Sequence, residues 1–260
     1  DRCLQFENME FESMANAVRS RRHKGFSGLI GLAQTDITPP KGIYARNWGA
    51  ATHDVADSVH IGLKLSVVTL SEQSGGEPVI LIDADLGWWR PLSLFREFQK
   101  RLLNELGVKA DRLIFALSHT HAASPLMTPD PSLPGSDILE EWMGSVFTAT
   151  VQSVRAALAA AEPAILEWHS GRCQLAAYRD LPDPESDRIL CGFNPDGSAD
   201  ETLLVGRISD HEGALKGIIV NYACHPTTLA WDNQAISPDF PGAMRQVISD
   251  TTGVPAFFLQ

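Results

Sequence analysis

The sequence predicts an α/β fold: a mixed, mostly parallel β-sheet flanked by helices in a three-layer α/β/α arrangement. Three observations point there. Short apolar runs bounded by turn residues, at 78–82, 113–117 and 217–224, read as strands covered on both faces. Two longer stretches, 91–106 and 137–161, carry apolar residues at helical spacing. The order strand, helix, strand across 78–117 predicts a right-handed parallel βαβ unit.

Residues 1–24 read as a polar extension. Its Arg19-Ser20-Arg21-Arg22-His23-Lys24 run marks a solvated segment, and a helix is expected around 7–18. One domain then runs from Gly25 to Gln260, without internal repeats. Leu29 to Ala33 leads into Ile37-Thr38-Pro39-Pro40, where the prolines force an extended exit. Trp48, His53 and Asp54 follow in a loop. A carboxylate beside an imidazole can orient it, although such a pair is more often a plain loop hydrogen bond. Residues 59–70 and 78–82 flank Ser74-Gly75-Gly76 and fit a hairpin.

The helix over 91–106 places Leu92, Phe95, Phe98, Leu102, Leu103 and Leu106 on one stripe and ends at Gly107, a C-cap. The strand Leu113-Ile114-Phe115-Ala116-Leu117 runs into Ser118-His119-Thr120-His121. A long loop with Pro125, Pro129, Pro131 and Pro134 follows, of the kind that often serves as a lid. Ser136 or Asp137 would cap the helix over 137–161. Glu140 and Glu141 then read as first-turn charges rather than catalytic acids. Residues 164–177 are β-like, and 179–200 are irregular and rich in Asp, Pro and Gly. The runs 203–208 and 215–222 form an antiparallel pair across the turn at 210–213. A further helix starts near Asp239, its N-cap, with Pro241 in the first turn, and 254–259 is a last strand.

The net charge of −11 argues against nucleic acid and gives no polybasic signal for an anionic membrane. A lipid substrate is compatible, because it enters an apolar cleft. No stretch is apolar enough to span a bilayer and no secretory signal is visible; a processed chain would look the same, which leaves the compartment open. Cys3, Cys173, Cys191 and Cys224 contain no CxxC pair. A Cys173–Cys191 bridge is conceivable, but free buried thiols fit the spacing better.

Three apolar strands end in residues of ligand type: Asp83 and Asp85, His119 and His121, and His225. If the chain stays extended through Thr120, both imidazoles point to the same side. Ligands in open α/β sheets gather at the carboxyl ends of strands, and three such ends together point to a zinc-type metal site. Asp83 and Asp85 also suit turn chemistry or helix capping. Arg179 is a candidate to hold an anionic or carbonyl oxygen. Cys224 precedes His225 directly; neighbours on a strand face opposite sides, which disfavours a nucleophilic dyad.

These motifs resemble the neutral/alkaline (non-lysosomal) ceramidase family. Ser118-His119-Thr120-His121, Cys224-His225-Pro226-Thr227, Gly31 to Pro39 and Ile82 to Gly87 are similar to that family's catalytic-domain motifs, in the same order. The resemblance implies a zinc cofactor with His119 and His225 as ligands. It implies His121 as a further active-site histidine that orients or protonates, and Arg179 as a substrate-contacting arginine. The implied reaction is hydrolysis of an N-acyl amide bond in a ceramide-like lipid or related amide or ester, with a secreted or periplasmic location. Departures are Ala122-Ala123-Ser124-Pro125 where the family has Ser-Gly-Pro, and Tyr178 where it more often has asparagine. The family completes its zinc site with a carboxylate and a tyrosine further along, so the domain reads as C-terminally incomplete. Two alternatives stand beside this reading: a barrel-type HxH metallohydrolase, for which the roughly 140 residues after His121 are too few, and a non-catalytic binding module retaining a partial metal site. Nothing in the residues fixes an oligomeric state.

Overall fold

In the computed structural model, which describes residues 23–260, one eight-stranded sheet organises the chain. Its strands are β1 (His23–Asp36), β2 (Lys64–Ser71), β3 (Val79–Ala84), β4 (Leu113–Leu117), β5 (Glu162–Arg172), β6 (Thr202–Ser209), β7 (Leu215–Tyr222) and β8 (Ala256–Leu259). Their order is β8-β7-β6-β5-β1-β2-β3-β4. Three helices accompany them: α1 (Leu92–Leu106), α2 (Leu139–Ala159) and α3 (Phe240–Thr252). The expected helix over 7–18 and Cys3 lie outside the described residues.

The α/β class holds, but the expected mostly parallel sheet is corrected to a mostly antiparallel one. Only β3–β4 and β7–β8 are parallel. The pairs β1–β2, β1–β5, β2–β3, β5–β6 and β6–β7 are antiparallel. The cause is connectivity. A parallel neighbour needs a crossover, and α1 and α3 supply one each. The hairpins β2–β3 and β6–β7 have short turns, and α2 carries the chain from β4 at the sheet edge to β5 beside β1. The stretch over 179–200 is also less irregular than expected, since Asp180–Asp183 pairs with Arg188–Cys191.

The three-layer arrangement holds only in part. Helices α1 and α2 cover one face, where Leu65, Val67, Ile80 and Ile82 pack with Phe98, Leu102, Trp142, Val146 and Val154. Each such side chain contributes roughly 1.5–3 kcal/mol of burial. The indole of Trp142 donates to the Ile37 carbonyl at 2.9 Å. At Gly31 the backbone of α2 comes so close that an added Cβ would lie 1.8 Å from the Ala157 carbonyl oxygen. The opposite face packs on itself, with Ile30, Val68, Ala164, Leu166, Ile208, Ile219 and Phe257 in one cluster. The sheet curls: Leu32 of β1 reaches to Gly217 of β7 across two intervening strands. Helix α3 packs on β8, with Phe240 edge-on to Phe258.

Caps follow the sequence at two helices of three. Gly107 closes α1 in the left-handed conformation, φ 66°. Asp239 caps α3 and accepts from the Phe240 amide, with Pro241 following. At α2 the expected Ser136 or Asp137 cap is not formed. The residue before the helix is Ile138, without a side-chain cap, because the Ser136 hydroxyl accepts from the Asp130 amide instead. Cys173, Cys191 and Cys224 are free thiols, and Cys191 is exposed rather than buried. Among the described residues, no helix is long and apolar enough to cross a membrane.

Candidate metal centre

The loops after β4 and β7 bring His119, His121 and His225 together. One ring nitrogen of each lies within 4.8 Å of the others. Their rings stand 4.7–5.3 Å apart, and all three are half-buried. Strand β4 ends at Leu117, and His119 turns into the left-handed region at φ 63°. The expected extended path through Thr120 is therefore not followed. Such a backbone costs on the order of 1–3 kcal/mol and persists only where its surroundings hold it. Here they do: the Ser118 amide donates to Ala84 O at 2.8 Å and the His119 amide to Leu86 O at 3.0 Å. The Thr120 hydroxyl donates to the Ser237 carbonyl at 2.8 Å, and the His121 amide to Pro226 O at 3.4 Å.

Two backbone carbonyls set the ring protons. His119 Nδ1 lies 3.2 Å from Gly87 O, and His121 Nδ1 lies 3.1 Å from Asn47 O. A carbonyl oxygen only accepts, so both Nδ1 atoms carry hydrogen and both Nε2 atoms keep a lone pair. This is the second-sphere pattern of metal-binding histidines. Burial, then the neighbouring His119, pushes His121 down to a pKa of about 4. Burial, then Arg179, does the same to His225. Both rings are therefore neutral at pH 7, the form that binds a metal. The donor set fits a divalent ion of the zinc type.

Asp83 and Asp85 do not join this group. Both are buried, and Arg245 of α3 reaches them from behind. Arg245 pairs directly with Asp85, while its Nη1 stands 3.7 Å from Asp83. Asp85 also accepts from the Lys64 amide at 2.7 Å. Burial, and for Asp83 also the facing Asp85, raises both carboxyls above their usual range. Neither Asp83 oxygen has a hydrogen bond of good geometry, whereas Asp85 pairs directly with Arg245, so the Asp83 charge is the less compensated of the two. The expectation of a third ligand-bearing strand end is thus corrected to a structural ion pair.

Arg179, expected from the resemblance to contact substrate, lies beside the histidines: its Nη2 is 2.6 Å from His225 Nδ1. It borders an open cavity of about 640 Å³ lined by Tyr178, Asp180, Phe193, Asp200 and Thr228 among others. His53 lines a narrow pocket with Trp48 and His121, but Asp54 is taken by Arg46 at 3.1 Å. Asp239 stays a cap, and it also accepts from the Thr228 hydroxyl and the Leu229 amide, which fixes the loop after His225. Burial pushes the Cys224 thiol up, the opposite of an activated nucleophile.

Sequence reasoning missed the supports. Trp48 and Trp88 each lie tilted against His121 with ring centroids 4.8 Å apart, and Trp231 meets Trp48 edge-on at 6.4 Å. Asn47 serves twice, its carbonyl on His121 and its amide on Ala123 O at 2.6 Å. Trp88 and Trp231 carried a usable signal, since they follow the ligand-type strand ends at Asp85 and His225 by three and six residues. A backbone carbonyl carries none.

No protein-family model matches the chain, and no curated protein does. Solved structures do. The chain is similar to a ceramidase complexed with C2 and to neutral ceramidase from Pseudomonas aeruginosa, each with a TM-score of 0.66 and 22% identity. Both alignments cover 88% of this chain, and they span 37% and 38% of the respective ceramidase chains. The fold is ceramidase-like, and the chain spans well under half the length of those structures.

Proposed function

We propose that this chain carries the metal-binding histidines of a zinc-dependent hydrolase that cleaves an N-acyl amide bond, in a ceramide-like lipid or a related amide or ester. The observation that carries the reading is the convergence of three imidazoles on a ceramidase-like fold, two of them with a free Nε2 fixed by backbone carbonyls. His119 and His225 would hold the ion, with His121 beside them as a third donor or as the group that orients and protonates. When bound, zinc supplies Lewis acidity toward a carbonyl and lowers the pKa of a water molecule to about 7.

The remaining chemistry belongs to the chain. Arg179, at the mouth of the cavity, presents donors to a carbonyl or anionic oxygen. Trp48 and Trp88 present apolar rings beside His121, with Trp231 against Trp48, which exclude water and suit an aliphatic substrate. His121, neutral at pH 7, can take or return a proton at Nε2. Zinc content of the purified protein, measured beside His119→Ala and His225→Ala, tests the site. About one zinc per chain, lost in both variants, is the expected result. Hydrolysis of a short-chain ceramide by the zinc-loaded protein then tests the substrate class. A folded wild-type protein that takes up no zinc would leave a binding module as the better reading.

A further inference from the structure

Resting on that reading, we infer that Arg179 is a latch on His225: it and a metal ion are mutually exclusive partners of this ring. The guanidinium has donors only and keeps its proton. At 2.6 Å it therefore donates to His225 Nδ1, which must present its lone pair. A neutral imidazole has one N–H, so the hydrogen of His225 sits on Nε2. That nitrogen lies 2.8 Å from His121 Nε2. His121 Nε2 is free to accept, because its own hydrogen is on Nδ1, facing the Asn47 carbonyl. The whole relay, Arg179 to His225 to His121 to Asn47, has one consistent proton assignment.

The consequence is that His225 offers no nitrogen to a metal while Arg179 is in place. Nδ1 is occupied, and Nε2 carries the hydrogen. Ligation through Nε2 moves the hydrogen to Nδ1, where it would face a guanidinium N–H. Arg179 must then leave. The route is open: its side chain is exposed, and the adjoining cavity carries Asp180 and Asp200 on its wall. Metal binding by His225 thus turns Arg179 from a partner of His225 into a donor facing the cavity. Site loading and substrate contact are coupled through one side chain.

The test uses the full chain, zinc alone as the probe, and Arg179→Met and Arg179→Gln. Gln keeps an N–H donor without the charge, which separates hydrogen bonding from electrostatics. Nitrogen-15 NMR of the histidine rings reads the tautomer. Metal-free wild type should show His225 with hydrogen on Nε2, moving to Nδ1 on one equivalent of zinc. Chelator competition should show about tenfold tighter zinc binding in Arg179→Met, on the scale of outer-sphere partners, and a smaller gain in Arg179→Gln. His225 with hydrogen on Nδ1 before zinc is added would overturn the latch, as would unchanged or weaker zinc binding in Arg179→Met while wild type binds zinc. Zinc bound by neither protein would overturn the metal reading and the latch together.

Discussion

Two polar clusters sit back to back at the end of β3. Behind it, Asp83, Asp85 and Arg245 are sealed from water. In front, His119, His121 and His225 are half-buried beside an open cavity. Both are built from residues with ligand chemistry at strand ends. They differ in what their charges meet. The carboxyl groups face a guanidinium from α3. His121 and His225 are neutral at pH 7, and His119 and His121 each keep an Nε2 lone pair. The residues between them join the two: Ala84 and Leu86 accept from the amides of Ser118 and His119, and Gly87 accepts from the His119 ring. The sealed cluster thereby anchors the strand end on which the open one is built.

The largest expected effect tests the sealed side. Arg245→Met leaves Asp85 buried with no cation, and removal of one partner of a buried pair costs about 3–5 kcal/mol. Denaturant unfolding should show a loss of that size. The double variant Arg245→Met/Asp85→Asn should recover most of it; a double variant no better than the single one would mean that Arg245 acts through packing. Next in size is Gly31→Ala. An added Cβ meets the Ala157 carbonyl oxygen, so α2 must shift off β1, at about 1–3 kcal/mol. Wild-type stability for this variant would place the close approach of α2 in doubt.

The open cluster should behave in the opposite way. His119→Ala and His225→Ala should change stability by no more than about 1 kcal/mol, the range for partly exposed positions outside a core. His119→Ala also relieves no strain, since alanine at φ 63° is as unfavourable as histidine. Both variants should nonetheless lose zinc. A histidine variant that unfolds the protein as Arg245→Met does would erase the distinction between the two clusters.

Much of this was readable from residues alone, and the limits have physical causes. Local signals held: the stripe from Phe98 to Leu106 and its Gly107 cap, although Leu92 at its head is exposed, the Asp239-Phe240-Pro241 start of α3, and the two hairpins. The histidines were legible because each follows an apolar strand. What failed was non-local. Strand direction depends on which strands become neighbours, and the antiparallel pairings of β1 with β2 and β5 leave no local trace. The sheet order runs β7 against β3 and β4, so His225 does not meet the histidine pair at a shared carboxyl edge as expected. The curl of the sheet brings it there. The fate of Asp83 and Asp85 depended on Arg245, 160 residues after Asp85 in sequence, which no spacing rule connects to them.

The smallest expected effect separates the two clusters by pH. His121 and His225 titrate near 4 in the folded protein instead of near 6.5. The unfolded chain binds more protons between those values, so their contribution to stability is full above 6.5 and is lost as pH falls toward 4. Asp83 has the opposite sign. Its folded pKa is raised well above 3.8 by burial and by Asp85. Between about 4 and that raised value the folded protein holds a proton that the unfolded chain has released, so its contribution declines as pH rises above about 4. Between 4 and 6.5 the two slopes oppose each other. Asp83→Asn keeps the shape of the neutral acid and removes only its titration. Stability of this variant should match wild type near pH 4 and exceed it increasingly as pH rises above 4, with a steeper rise between 4 and 6.5 because the histidine slope is less offset. Parallel pH profiles for the two proteins would mean that Asp83 is ionised in the fold and that Arg245 neutralises both carboxylates.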